Sequence, residues 1–160
     1  MASILVLWNN ASIVVVMDRL PTLQEISPTQ GSDLDEKAAL DAFLDKSQKE
    51  AIRLFAQNDE YYPDLLVHMG RAGFQYYFKA YVKYLKSAPK MTSASIYSLW
   101  HIINIVAIQD PKTLSPLKFD LLTLIRSILA NWDGIEANEA IYKNLHIKLC
   151  QALQRIESLR

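Results

Sequence analysis

Residues 74–86 read FQYYFKAYVKYLK, and their spacing decides the fold. Phe74, Phe78, Tyr81 and Leu85 recur at intervals of four, three and four, which puts them on one stripe of an α-helix with Tyr77 beside them. Gln75, Lys79, Lys83 and Lys86 gather on the other side. Tyrosine suits the border between the two, because its ring buries while its hydroxyl reaches a polar partner. Four tyrosines on one helix are more than packing alone requires. The pattern predicts a helix over 72–86, closed by Pro89.

The same period continues downstream. Thr92 is placed to cap a helix running to Ile108, in which Ile96, Leu99, Trp100, Ile103 and Val106 form a wide apolar face. Ile102, Ile105 and Ile108 extend that face nearly all round, so the helix is expected at the centre of the fold. Asp110-Pro111 ends it. Ser115-Pro116 pairs an N-cap residue with proline at the first helical position and opens a helix through Leu121, Leu122, Leu124, Ile125, Ile128 and Leu129 to Trp132. After the Asp133-Gly134 turn, a last helix over 136–158 lines up Ile141, Leu145, Leu149, Leu153 and Ile156. The short links predict antiparallel αα-hairpins among these three. No self-similarity at a fixed period points to a solenoid.

Upstream, Asp33 with Glu36 makes a capping-box pattern, and Leu40, Phe43, Leu44, Ala51, Leu54 and Phe55 follow as one apolar stripe. Asp41, Asp45, Lys49 and Arg53 fill the opposite side, which predicts one amphipathic helix over 33–57. Asn58-Asp59-Glu60 breaks the chain, Pro63 opens a short helix to Met69, and Gly70 and Gly73 loosen the next junction. The fold class is therefore all-α: a compact bundle of five or six helices over residues 32–160.

Residues 1–31 read as an N-terminal extension. Ile4–Trp8 and Ile13–Val16 flank Asn9-Asn10-Ala11-Ser12 as a short β-hairpin would, unless the natural start is Met17 and the segment lies upstream of it. No basic residue precedes the apolar run, as a signal peptide requires, and the run is shorter than the ~20 residues of a membrane span. Pro21–Gly31 reads as a linker.

Charge is even in total and uneven in sequence. The chain has 17 bases and 17 acids, giving no net push towards nucleic acid or a membrane surface. Residues 1–64 carry eleven acids and five bases, a balance of −6, whereas 65–109 hold five bases and no acid. Cys150 is the single cysteine, which excludes an internal disulfide and suits the cytoplasm; its spacing from Leu145, Leu149 and Leu153 makes it a small core residue.

Motifs for catalysis are thin. His68, His101 and His146 sit on separate segments without metal-ligand spacing. His146 and Cys150 share a helix face, the spacing of a thiolate–imidazole pair, with nothing nearby to bind an oxyanion. Gly70-Arg71-Ala72-Gly73 is the nearest approach to a phosphate-cradling turn, and its glycines fit close packing or a hinge better than anion binding. No catalytic, cofactor-binding or metal-ligating residue is assigned, and no cofactor is expected.

The basic-aromatic helix is the distinctive feature. Lysines beside tyrosines over 71–90 are the composition of a single-stranded nucleic-acid surface, where Lys meets phosphate and Tyr stacks on bases. Neutral total charge and the absence of a nucleic-acid motif weigh against that alternative. Tyrosine-rich patches are equally typical of protein interfaces. The 74–85 run also resembles the aromatic "YYxPAxL" helix of small uncharacterised bacterial helical proteins, a size class that includes toxin-neutralising immunity proteins; Lys79 stands where those proteins tend to have proline. The resemblance implies a stoichiometric binding protein. The expected function is thus a non-catalytic protein-binding module, with Tyr76, Lys79, Lys83 and Tyr84 on the basic side and Asp41, Asp45 and Glu50 on the acidic helix as candidate contacts. A second alternative is an enzyme whose site gathers a dispersed histidine and carboxylate in a pocket.

Overall fold

The computed structural model describes residues 19–88, 91–135, 138 and 140–159. Among them the chain is all-helical, with no strand. Eight α-helices follow in order: α1 (Leu23–Ile26), α2 (Leu34–Phe43), α3 (Gln48–Gln57), α4 (Tyr61–Asp64), α5 (Arg71–Ser87), α6 (Ser93–Gln109), α7 (Lys118–Ala130) and α8 (Leu145–Ser158). Single 3-10 turns occupy Leu65–His68, Pro111–Thr113, Ser115–Leu117 and Trp132–Gly134. The hairpin expected within residues 4–16 lies outside the described residues. No helix among the described residues is long and apolar enough to cross a membrane.

The expected count of five or six helices is too low, for two physical reasons. The helix predicted over 33–57 is two helices. Asp45 adopts φ 60°, a left-handed conformation that stops α2, and Ser47 begins α3 with a capping box of its own. Ser47 donates its N–H and hydroxyl to Glu50 Oε2 at 2.8 and 2.6 Å, and Glu50 N–H returns a bond to Ser47 Oγ. The linker at 21–31 likewise contains a helical turn, α1, capped by Thr22 and Glu25.

Boundaries shift at the C-terminal end as well. The last helix starts at Leu145 rather than 136, after Asn144 at φ 58°. Ile141 therefore falls before it and is exposed instead of lying on its stripe. Ser115-Pro116 opens a 3-10 turn, and the α-helix begins at Lys118. The expected hairpin between the 92–108 and 115–132 helices is not a direct pairing: α8 packs extensively on both α6 and α7, which touch each other little.

The 74–86 stretch is the hub. Helix α5 packs against α1, α3, α7 and the Leu65–His68 turn. Phe74, Tyr77, Phe78, Tyr81 and Leu85 are buried, with Phe43 and Phe55 among their neighbours. Ring centroids of Phe43–Tyr77, Phe74–Phe78 and Phe55–Tyr81 stand 4.8, 4.8 and 5.1 Å apart. Pairs at such distances add about 0.5–1.5 kcal/mol each beyond their burial. Helix α6 buries Ile96, Leu99, Ile102, Ile103 and Val106, but Ile108 is exposed, so its apolar surface is not covered all round.

The glycines of Gly70-Arg71-Ala72-Gly73 serve close packing. A Cβ on Gly73 would stand 2.5 Å from the Glu25 carbonyl oxygen, and one on Gly70 2.8 Å from the same atom. Gly70 N–H donates to Ile26 O at 3.1 Å, which lashes α1 to the start of α5.

Candidate functional site

The tyrosines of α5 divide into two groups. Tyr77 and Tyr81 are completely buried, and both hydroxyls are used inside the fold. The Tyr77 hydroxyl lies 2.6 Å from Phe43 O and 2.9 Å from Lys46 O, sharing its one proton between the carbonyls that the α2–α3 break leaves without helical partners. Tyr81 donates to Ser95 O at 2.9 Å. Tyr76 and Tyr84 are half-buried. Tyr84 turns towards α6, where Ser95 meets its hydroxyl and Asp59 stands nearby. That region is a structural knot: Thr92 and Ser95 donate their hydroxyls to Asp59 Oδ2 at 2.5 and 2.7 Å.

The cations divide in the same way. Arg71 donates two bonds to Asp110 Oδ2, at 2.9 and 2.5 Å. Lys86 reaches Asp120 Oδ1 at 2.7 Å, and Lys83 reaches Gln48 Oε1 at 2.6 Å. Each ties α5 to a neighbouring element. Among the described cations of this face, Lys79 alone has no such partner. A nucleic-acid surface needs several cations free for phosphate, and this one has spent three on its own fold.

Folding brings part of the acidic set to the basic set. Gln48, at the start of α3, donates Nε2 to Tyr76 O at 3.2 Å while accepting from Lys83. Asp45 and Glu50 are close enough that, after burial and Tyr76, their charges help push the Tyr77 phenol well above its ordinary range. Tyr76, Lys83, Asp45 and Glu50 therefore cluster at the corner of α2, α3 and α5. Glu50 is committed to its capping box there, and the Ser47 hydroxyl and N–H hold its carboxyl below the ordinary value. Asp41 is exposed on α2, and Tyr84 belongs to the α5–α6 side.

The histidines do have carboxylate neighbours that sequence spacing could not show. His68 Nδ1 stands 3.9 Å from Asp35 and His101 Nε2 3.5 Å from Asp64, in pairs whose acids are more than half exposed. Neither lies in the 460 Å³ groove between α5 and α7, lined by Leu85, Lys86, Met91, Leu124 and Ile128, nor in the 120 Å³ cleft beside Arg71 and Asp110. Cys150 Sγ lies 3.8 Å from His146 Nδ1, and Cys150 is half-buried rather than fully in the core.

Sequence reading missed a second aromatic cluster, where Tyr97, Trp100 and His101 of α6 meet Tyr142 and Lys148. Tyr97, Trp100 and His101 at i, i+3 and i+4 were its available signal, hidden within an apolar helix. The chain matches no protein-family model, no curated protein and no solved structure.

Proposed function

We propose that this chain is a non-catalytic protein-binding module whose docking surface is the α2–α3–α5 corner. The observation that carries the reading is the convergence there of half-buried Tyr76 and Gln48 with exposed Asp45 and Lys83, Lys79 following Tyr76 on α5. A half-buried aromatic ring amid charges of both signs is the composition of an interface anchor with a polar rim. Charges at the rim would steer a complementary partner more than they would tighten it. Our finer reading is a bacterial, cytoplasmic, toxin-neutralising immunity protein, supported by the resemblance of residues 74–85 and by this surface.

The test is co-expression with a toxin encoded beside the gene, scored as growth. Wild type should rescue, and the Lys79→Glu/Asp45→Asn variant should lose rescue while keeping its helical circular dichroism. Asn is chosen because it tolerates the left-handed backbone of Asp45. Lys112→Ala, on the link between α6 and α7, should rescue like wild type. Equal rescue by the corner variant would remove this surface from the function, and no rescue by wild type would remove the immunity reading.

A further inference from the structure

Tyr97 and Trp100 lie one turn apart on α6, their ring centroids 5.3 Å apart and their planes inclined by 50°, so that they form an open V. Tyr142 adds a third ring, 5.3 Å from Tyr97. Lys148 of α8 places its ammonium in the V, 4.9 Å from the Tyr97 centroid and 4.6 Å from that of Trp100. Among the described residues no carboxylate pairs with it. Carboxylates stand around the rim instead. Glu60 accepts the Tyr142 hydroxyl, and Asp64 lies near His101, whose ring stacks on Tyr97 at 6.0 Å and 9°. The Glu60 bond foremost, then burial, push the Tyr142 phenol up to about 12.

We propose that this V is a binding site for methylated or quaternary ammonium ligands, closed in this structure by Lys148 as an internal stand-in. Ring faces attract cations through their quadrupoles, and the neighbouring acids add to the field. A primary ammonium is a strongly hydrated point charge and gives up much of that water on the rings. A tetraalkyl ammonium, which has no N–H groups to hydrate, gives up less. The lysine stem is long and flexible, so the native occupant can swing into solvent when a better cation arrives. Affinity in the wild type is then reduced by competition from Lys148.

Titration with tetramethylammonium chloride tests this, against sodium chloride at equal ionic strength. The readout is the Trp100 indole N–H resonance, assigned by its disappearance in Trp100→Phe. A saturable shift specific to tetramethylammonium is expected, and Lys148→Ala should bind between about threefold and thirtyfold tighter than wild type. If Lys148→Ala does not fold, Lys148→Met keeps the stem, drops the charge and carries the same expectation. Identical responses to both salts in wild type and in the folded Lys148 variant would overturn the proposal and leave Lys148 as a clasp between α6 and α8.

Discussion

Tyr77 shows how one side chain can hold two elements in register. Its hydroxyl meets both carbonyls at the α2–α3 break, so Tyr77→Phe takes that proton from the buried bond to Phe43 O, which keeps the Lys46 N–H, and from the part-buried bond to Lys46 O. Removing one partner of a buried hydrogen bond costs about 1–3 kcal/mol. The unfolding temperature of Tyr77→Phe should fall several degrees below that of the wild type. The same burial has a consequence at high pH. Burial raises the phenols of Tyr77 and Tyr81 above the ordinary value of 10.0, so the folded state holds protons that the unfolded state releases. Their contribution to stability is complete below about pH 10 and is lost above it, at about 1.4 kcal/mol per pH unit for each tyrosine that stays neutral. Spectrophotometric titration should find at least two of the eight tyrosines silent until the chain unfolds. Ionisation of all eight below the unfolding transition would contradict the burial.

At the scale of elements, the helices were legible and some of their ends were not. The stripe Phe74–Leu85 gave α5 directly, because period alone settles a long amphipathic segment. The α2–α3 break was written in the sequence as Ser47 with Glu50, a capping box as complete as any in the chain. It was hidden because Leu44, Ala51 and Leu54 continue the helical spacing across it. Glu50 was accordingly read as a surface contact when its carboxylate is a cap. Ser47→Ala should cost about 1 kcal/mol, measured by denaturant unfolding. Three carboxyls held below their ordinary value predict a fold that weakens in acid. The Arg19 guanidinium, then Thr22, hold Glu25 down to about 2; bonds from Thr29 and Ser27 outweigh burial at Glu36; Ser47 lowers Glu50. Depressed carboxyls stabilise the fold above the ordinary value of 4.5, and that stabilisation fades as pH falls below it. The melting temperature should drop over that range, and less steeply in Glu25→Gln. Gly73 sets two effects against each other. Alanine would gain about 1 kcal/mol of helix propensity, but its Cβ would meet the Glu25 carbonyl at 2.5 Å, and overpacking of that kind costs about 1–3 kcal/mol. Net destabilisation of Gly73→Ala is expected; a rise in stability would mean that α1 shifts freely on α5.

Helix α5 packs against α1, α3, α7 and the Leu65–His68 turn, and its basic stripe is largely turned to internal use. Sequence could show that 65–109 lacks acids, but only folding shows that Asp110, Asp120 and Gln48 come to meet its cations. Among the described cations of that stretch, Arg71 and Lys86 meet carboxylates of the same chain and Lys83 meets Gln48, whereas Lys79 has no such partner. The aromatic V on α6 was illegible for the same reason: Tyr142 and Lys148 arrive from more than forty residues away. Native-state hydrogen exchange tests the central placement of α5 most directly. Amides of Tyr77–Leu85 and Ile96–Val106 should exchange last, at the rate of global unfolding, while those of α1 exchange early. Exchange in Tyr77–Leu85 as fast as in α1 would mean that α5 is a peripheral helix, and the account of both its buried tyrosines and its outward corner would fall.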